Sequence, residues 1–466
     1  MQKLFDEVSL LDKRCYDKFA LSEDILMEHA ANGISVFIRE KFALGSSVLI
    51  ITGSGNNGAD GIALSRLLFK DYKVEIFVLK ESKSQMAKLQ DKRAHSIHVK
   101  RTIYLNEADV IVDAIFGTGF NGKLDNETKS VMQTLNKLSG YKIACDIPSG
   151  IQINGVCDKD SFKADITLTM GALKKSLFND QAKEYVGDIK VLDLGLSREI
   201  YETDSNWNLL CEKDMRLPFR HAKDTHKGTY GHLAISSGEK IGASVIAALS
   251  AINFGTGLVT LLRQEAQISS TIPFELMLSK SLPSNTSALA LGMGLGVSFD
   301  TEILETYLDN TLPLIIDADI FSMPILLEIL KRKKLVITPH PLEFVRILKL
   351  TGLAETSVDE LQNCRFKYAE LFSQKYPDVV LLLKGANVII AHNQEFFINT
   401  NGTSALAKGG SGDVLSGLIG SLLAQGYKPL NATITASLAH TKLALNYIGP
   451  DFSLTPNDLI DGIVYL

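Results

Sequence analysis

The chain has little of what marks an extracellular, metal-bound or nucleic-acid-binding protein. Only five of its 466 residues are cysteine and only one is tryptophan. Cys15, Cys145, Cys157, Cys211 and Cys364 form no CxxC pair and are odd in number. A disulfide framework or a zinc site is therefore not expected, and a reducing compartment is. Basic excess is missing as well: 48 Lys and Arg against 53 Asp and Glu give a net charge of -5. Nucleic acid and anionic membranes reward a basic surface, so neither is expected as a partner. The opening MQKLFDEVSLLDKRCYDKF mixes acids and bases and lacks the apolar core of a signal peptide. Long apolar runs are nearly absent. Ile241 to Leu262 carries no charge and is long enough to cross a bilayer, but Asn253, Gly255, Thr256 and Gly257 interrupt it. A helix from Ala243 to Phe254 closed by Gly255, then a strand from Leu258 to Leu262, is the expected form. The expected location is cytoplasmic.

What remains is ordinary globular composition, 45% hydrophobic and 22% charged, in a chain too long for one comfortable core. No tandem repeat or low-complexity block is visible. The N-terminal part opens with helical spacing, Ile25, Leu26, His29, Ile34, Phe37 and Ile38 falling on one face. Apolar, β-branched runs then alternate with amphipathic ones: SSVLIIT, a helix from Asp60 to Lys70, KVEIFVL, VIVDAIF and YKIACDI. Strands buried on both faces and alternating with helices imply a mainly parallel sheet. The pattern degrades after Leu196 and resumes with HLAISSG, LVTLL, PLIIDAD, KLVITPH and VVLLLKG. Two α/β domains in series are expected, 1–208 and 209–466.

In the first, TGSGNNGADG (Thr52 to Gly61) falls where a strand ends and a helix begins, the edge where open α/β sheets bind ligands. Its glycines allow close backbone approach, and the helix start offers N–H groups to an anion. VDAIFGTGFNGK and CDIPSG place Asp113, a glycine loop, Asp146 and Ser149 at two further strand ends. Each carboxylate could merely cap a loop; three polar clusters on successive strand ends converge on one crevice. GSGNNGADG, DAIFGTGF and DIPSG resemble the NAD(P)H-hydrate epimerase domain over roughly the first 200 residues. The resemblance implies a Rossmann-like three-layer sandwich. It also implies that Asn56, Asn57, Gly58, Ala59 and Asp60, with Gly117, Thr118, Gly119, Phe120, Asn121, Gly122 and Lys123, contact hydrated NAD(P)H. It further implies a potassium ion held by Asn57, Asp113 and Ser149, oxygen donors that suit a hard cation. Asp146 matches the family's substrate-contacting carboxylate and is the expected acid/base group. Lys174 resembles the family's lysine, with Leu173 standing where proline is usual. Asp125 to Thr128 stand where a tyrosine is frequent.

In the second, AKGGSGDVLSGLIGSLLAQG (Ala407 to Gly426) places Val414, Leu415, Leu418, Ile419, Leu422 and Leu423 on one helix face, with Gly426 as a C-terminal cap. Gly409, Gly410 and Gly412 leave unshielded N–H groups at the positive end of that helix, prearranged for the charge of a transferring phosphoryl group. Asp413 at the same point can accept a proton from an attacking hydroxyl, or simply cap the helix. This stretch, with HKGTYGHLAISSG, LGMGLG, TPHPLEF, LLLKGANVII and INTNGTSALAKGGSGD, resembles the ADP-dependent NAD(P)H-hydrate dehydratases of the ribokinase-like superfamily. The resemblance assigns Ala243, Gly294, His340 and Asp413 to the hydrated dinucleotide, and Lys384, Gly385, Ala386, Asn387, Val388 and Gly412 to the adenine nucleotide. Met293 and Leu342 depart from the usual proline and glycine without removing a polar ligand. From the residues alone His340 could equally cap a strand end. Asp317 and Asp319, on one strand face, could be a substrate or magnesium-shell pair or a buried hydrogen-bonded pair.

The fused order resembles the bacterial nicotinamide-nucleotide repair enzymes. The expected chemistry is interconversion of R and S hydrates by the first domain and ADP-dependent dehydration of the S hydrate by the second. Magnesium is expected with the nucleotide, NADHX or NADPHX as substrates, and a homo-oligomer. Two other readings fit the residues: a kinase for a small alcohol with an accessory first domain, and a first domain that binds without turnover.

Overall fold

The computed structural model describes residues 1–264, 272–296 and 299–466. The chain separates into two units, Gln2–Trp207 and Asn208–Leu466, the latter including Met1.

In the first unit the β-branched runs form a parallel sheet. Its spatial order is Lys100–Thr102, Lys73–Val78, Ser47–Thr52, Val110–Ala114, Tyr141–Cys145, Ile166–Met170 and Asp188–Leu192. Alternation along each strand serves two cores. Val48 and Ile50 join Val110, Val112 and the helix residues Leu26, Ile34 and Leu64. Leu49 and Ile51 join Ile111, Ala144 and the helix residues Met132 and Leu135 on the other face. The sheet is thus covered on both sides, as its near-continuous apolar strands require. The chain runs outward from Ser47–Thr52, then returns to Val110–Ala114, which pairs with the same strand with Thr52 opposite Ala114. Loops leaving these two strand ends diverge, which opens a crevice at the switch point.

Two local expectations are corrected. The helix after the first glycine turn is Asn56–Leu68, not one starting at Asp60. Gly58 permits the early start: a Cβ there would lie 2.0 Å from the Gly53 carbonyl oxygen. In Glu23–Lys41 the buried stripe is Leu26, Met27, Ala30, Ala31, Ile34, Ser35 and Ile38, and Ile25 and His29 face solvent.

The second unit carries parallel strands in the order Met277–Ser279, Leu258–Leu262, His232–Ser236, Ala288–Leu291, Leu314–Ile316, Leu335–Ile337 and Val379–Leu383. Val388–His392 and Glu395–Asn399 extend it antiparallel. The uncharged run resolves into helix Ile241–Asn253 and strand Leu258–Leu262, with Gly255 at φ 104° between them. Among the described residues no helix is long and apolar enough to cross a membrane. Helix Ser411–Ala424 is buried along nearly its whole length and ends at Gly426, φ 87°. It packs on Ile241–Asn253 so closely that a Cβ on Gly417 would lie 2.2 Å from the Ala247 carbonyl oxygen. Pro429–Leu445 follows and buries most of its own length against the same core. Asp317 and Asp319 do not share a strand face: the strand ends at Ile316, and Ala318, φ 51°, turns the chain into a short helix.

Candidate active sites

At the switch point of the first unit lies a cavity of about 590 Å³. Its wall includes Asn56, Asn57 and Asp60 from the helix start, Gly117 to Asn121 from the second glycine loop, and Asp146. Asp146 adopts φ 71°, a left-handed turn just past strand Tyr141–Cys145, which aspartate tolerates better than most residues. Its Oδ1 accepts from Lys174 Nζ at 2.6 Å, Met170 N at 3.0 Å and Thr169 Oγ1 at 3.1 Å. Lys174, with a side chain 0% exposed, also donates to the Met170 carbonyl at 2.6 Å and to Thr169 Oγ1 at 3.0 Å. One carboxylate oxygen is therefore saturated. Oδ2 faces the glycine loop, where a Cβ on Gly117 would lie 3.4 Å away. Asp60 shares the wall, and burial, then the charges of Asp146 and Asp12, push its carboxyl well up.

Beside the cavity, Ser149 fastens two strand ends. Its backbone N–H donates to Asp113 Oδ2 and its hydroxyl to Asp113 Oδ1, both at 2.7 Å, and Phe116 N donates to Ser149 Oγ at 3.0 Å. Burial raises the Asp113 carboxyl to about 6 against the pull of these bonds. Asn57 Nδ2 donates to the Phe116 carbonyl at 2.8 Å, while its buried Oδ1 has no hydrogen-bond partner. The orphaned amide oxygen, on a side chain linked through the Phe116 backbone to the Ser149 hydroxyl and Asp113 carboxylate, belongs to an oxygen set of the kind a hard cation takes.

Not every residue marked in the sequence reaches the cavity. Gly58 and Ala59 are buried in the first helical turn, and Gly122 and Lys123 are exposed beyond its lining. Asp12, Tyr16 and Glu23 join the wall from helices earlier in the chain. Nothing in their local sequence signals this, because their only qualification is where the first helices pack. In the stretch Asp125 to Thr128, Asp125 caps helix Asn126–Lys137 by accepting from Thr128 N.

In the second unit the loops at the carboxyl ends of successive parallel strands meet the N-terminus of helix Ser411–Ala424. Lys384, directly after Val379–Leu383, donates to both Asp317 oxygens at 2.8 and 3.0 Å. Ser416 Oγ donates to Asp317 Oδ2 at 2.8 Å. A Cβ on Gly412 would stand 3.3 Å from Lys384 Nζ, so the glycine keeps that ammonium beside the helix start. Gly410, φ 90°, makes the turn, with no side chain capping the first amides. Burial, then the negative charge of Asp317, raises the Asp413 carboxyl to about 7, with Lys384 pulling the other way. Behind the loop His440, buried and lowered to about 4 by that burial, meets Ser411 Oγ at 3.1 Å.

Around this centre, a Cβ on Gly294 (φ 69°) would come within 3.0 Å of Ala243 Cβ, so these two residues share one wall. His340 caps helix Pro341–Leu350: its Nδ1 accepts from Glu343 N at 3.4 Å, and Glu343 Oε2 accepts from His340 N at 2.8 Å. Burial and then the Lys384 charge lower its imidazole, and Lys384 N donates to the carbonyl of the preceding Pro339 at 2.9 Å. Gly385, Ala386 and Asn387 form the turn between Val379–Leu383 and Val388–His392. Gly385 lies on the buried Arg365 guanidinium, 2.3 Å from where a Cβ would be. Asp319 Oδ2 accepts from Gly296 N at 2.9 Å and so braces the other glycine loop. Ser416 was not marked in the sequence, although it lies one helical turn from Asp413 on the same face.

Residues 23–176 match the family model described as YjeF-related protein N-terminus, and residues 233–463 the one described as NAD(P)H-hydrate dehydratase. The chain is 44% identical over its full length to the bifunctional NAD(P)H-hydrate repair enzyme of Helicobacter pylori, all of which it covers. It is 31% identical to the enzyme of the same name from Coxiella burnetii, covering 91% of this chain and 90% of that one. Among solved structures, an ADP/ATP-dependent NAD(P)H-hydrate dehydratase from Bacillus subtilis aligns with 53% of this chain and 92% of its own, at 28% identity and a TM-score of 0.46.

Proposed function

The chain belongs to the family of bifunctional NAD(P)H-hydrate repair enzymes, and from that footing we propose how its two sites divide the work. The first unit interconverts the R and S hydrates, and the second returns the S hydrate to NAD(P)H at the expense of ADP. The observation that carries the second assignment is the meeting of Asp413, the Lys384–Asp317 pair and the bare amides of the Gly410–Gly412 turn at one helix N-terminus.

In that site Asp413 takes the proton of the substrate hydroxyl as the hydroxyl oxygen attacks the terminal phosphorus of ADP and AMP leaves. The turn's N–H groups and Lys384 meet the charge that gathers on the phosphoryl oxygens. Phosphate then departs with the former hydroxyl oxygen, and loss of a proton from the neighbouring carbon restores the ring double bond. Ala243, Gly294 and His340 line the position of the hydrated dinucleotide, and the 384–388 segment with Gly412 that of the adenine nucleotide. Magnesium, when bound, neutralises phosphate charge; it needs few protein ligands beside phosphates and water. Asp317 is committed to Lys384 and Ser416, so Asp319 and Asp413 are the carboxylates that would be left to hold it.

In the first site Asn57, Asp113 and Ser149 would hold potassium, with the orphaned Asn57 Oδ1 as the observation in its favour. A potassium ion held by these residues would supply fixed positive charge beside the cavity. Asp146, aimed into the cavity by Lys174, exchanges protons with the hydrated ring.

The test is recovery of the reduced-nicotinamide absorbance from each separated epimer with ADP, with ATP, and with neither. Conversion of both epimers with ADP is expected. Turnover of a small alcohol with ATP and none of either hydrate would replace this reading with that of a small-alcohol kinase.

A further inference from the structure

Hydration of an enamine puts the hydroxyl on the carbon beside nitrogen, so the hydrated ring is a carbinolamine. Inverting that carbon by loss and return of water needs proton transfer on both ring faces. One carboxyl held rigidly at one side serves only one face of a substrate that does not turn over in the site. Asp146 is such a group, because Lys174, Thr169 and Met170 fix its Oδ1.

The same cavity presents a second carboxyl from a different element. Asp12, on helix Ser9–Phe19, lines the cavity with Asp146. Its Oδ1 accepts the Tyr201 hydroxyl at 2.7 Å. Tyr201 is itself pinned: Arg14 Nη1, one helical residue pair beyond Asp12, donates to the carbonyls of Ile200 at 2.8 Å and Tyr201 at 3.1 Å. Its ring fills the space where a Cβ on Gly171 (φ 69°) would lie only 2.5 Å away. Gly171 follows Met170, whose N–H holds Asp146. A tyrosine far along the chain therefore sets Asp12 in register with the end of strand Ile166–Met170, whose last residue donates its N–H to Asp146. The other carboxyls in the wall are placed differently. Glu23 accepts Asn56 Nδ2 at 2.6 Å, and Asp60 stands on the helix that starts at the sheet edge.

We propose that Asp12 is the second acid–base carboxyl of the epimerase site, serving the ring face that Asp146 does not. This rests on the assignment of epimerisation to the first unit. In one direction Asp12 gives its proton to the departing hydroxyl, which leaves as water while the ring-nitrogen lone pair forms the C=N bond of an iminium. Water adds to the other face, breaking that π bond back onto nitrogen, and passes its proton to Asp146. Asp12 ends ionised and Asp146 protonated. The other epimer follows the same path backwards from that state, and proton exchange with water resets the pair. The surroundings suit an acid at Asp12. Burial pushes its carboxyl up, the Tyr201 hydrogen bond and then Lys174 pull it back, and Asp146 and Glu23 push it further up. Asp60 feels Asp12 as a like charge, and Cys15 and Tyr16 face it from its own helix.

The experiment uses the full-length protein and separated epimers of NADHX. R-to-S interconversion is read chromatographically without ADP, and S-epimer dehydration with ADP serves as a control in the same chain. Asp12→Asn should slow interconversion by ~100-fold or more and leave S-epimer dehydration unchanged. If wild-type protein does not interconvert the epimers, the epimerase reading itself fails. If it does, and Asp12→Asn stays within a few-fold of it, the role of Asp12 is overturned. Tyr201→Phe separates chemistry from support. It keeps the carboxyl but removes a bond that lowers its pKa, so the alkaline limb of the interconversion rate should move to higher pH. A limb that stays in place overturns the assignment of Asp12 as the acid.

Discussion

Lys384 Nζ sits 2.8 and 3.0 Å from the two oxygens of Asp317, and the pair is nearly closed off from water on the Asp317 side. A cation so held is a fixed charge, as the proposed phosphoryl transfer beside it needs. It costs no reorganisation when charge builds up on the phosphate.

Removing its partner exposes that dependence. Asp317→Ala leaves Lys384 without its counter-charge and Ser416 without its acceptor. A loss at the lower end of ~3–5 kcal/mol is expected, since Lys384 keeps some contact with solvent. Urea unfolding of the variant, beside its KM for ADP, measures both the fold and the phosphate site.

Asp413→Asn should cut dehydration of the S hydrate by ~10²–10⁴-fold while ADP binding, read by calorimetry, persists. The wild-type rate should fall as pH drops below about 7, because burial holds the Asp413 carboxyl there and a base works only when ionised. Stability runs the other way. A carboxyl whose folded pKa lies above its unfolded value, ~3.9 for aspartate, favours the fold only while protonated, and that contribution is lost as pH rises through about 7. Asp413→Asn should therefore melt higher than wild type at pH 8 and match it near pH 4.

Replacing potassium by tetramethylammonium should slow R-to-S interconversion and leave dehydration of the S hydrate alone. Asn57→Ala, which deletes the orphaned Oδ1, should raise the potassium concentration needed for half-maximal interconversion. A potassium titration of the two proteins compares them directly, and equal midpoints would count against Asn57 as a ligand.

Gly417→Ala puts a methyl group 2.2 Å from the Ala247 carbonyl oxygen. The backbone of helix Ile241–Asn253 cannot step aside as a flexible side chain would, so a loss of ~1–3 kcal/mol is expected in urea unfolding. The same shift moves the helix that presents Asp413, and dehydration should fall with stability.

Much of this protein was determined locally. Strand alternation such as Val48, Leu49, Ile50, Ile51 shows burial on both faces, and a strand running into GSGNNGADG or a glycine turn running into DVLSGLIG shows where backbone opens to a ligand. Those signals sit within a few residues of one another, and the family motifs are made of them. Even so, the helix begins at Asn56 and not at Asp60, because Gly58 lets the turn close on the Gly53 carbonyl, and the strand ends before Asp317, whose carbonyl oxygen lies 1.8 Å from where a Cβ on Gly292, in the neighbouring strand end, would be. The partners within the sites were decided only by tertiary structure. Lys174 reaches Asp146 from 28 residues away, Lys384 reaches Asp317 from 67, and Tyr201 reaches Asp12 from 189. Hydrophobic period records which face of an element is buried, but it carries no record of strand order. Strand order sets which loops share a crevice, and thus which charges meet there.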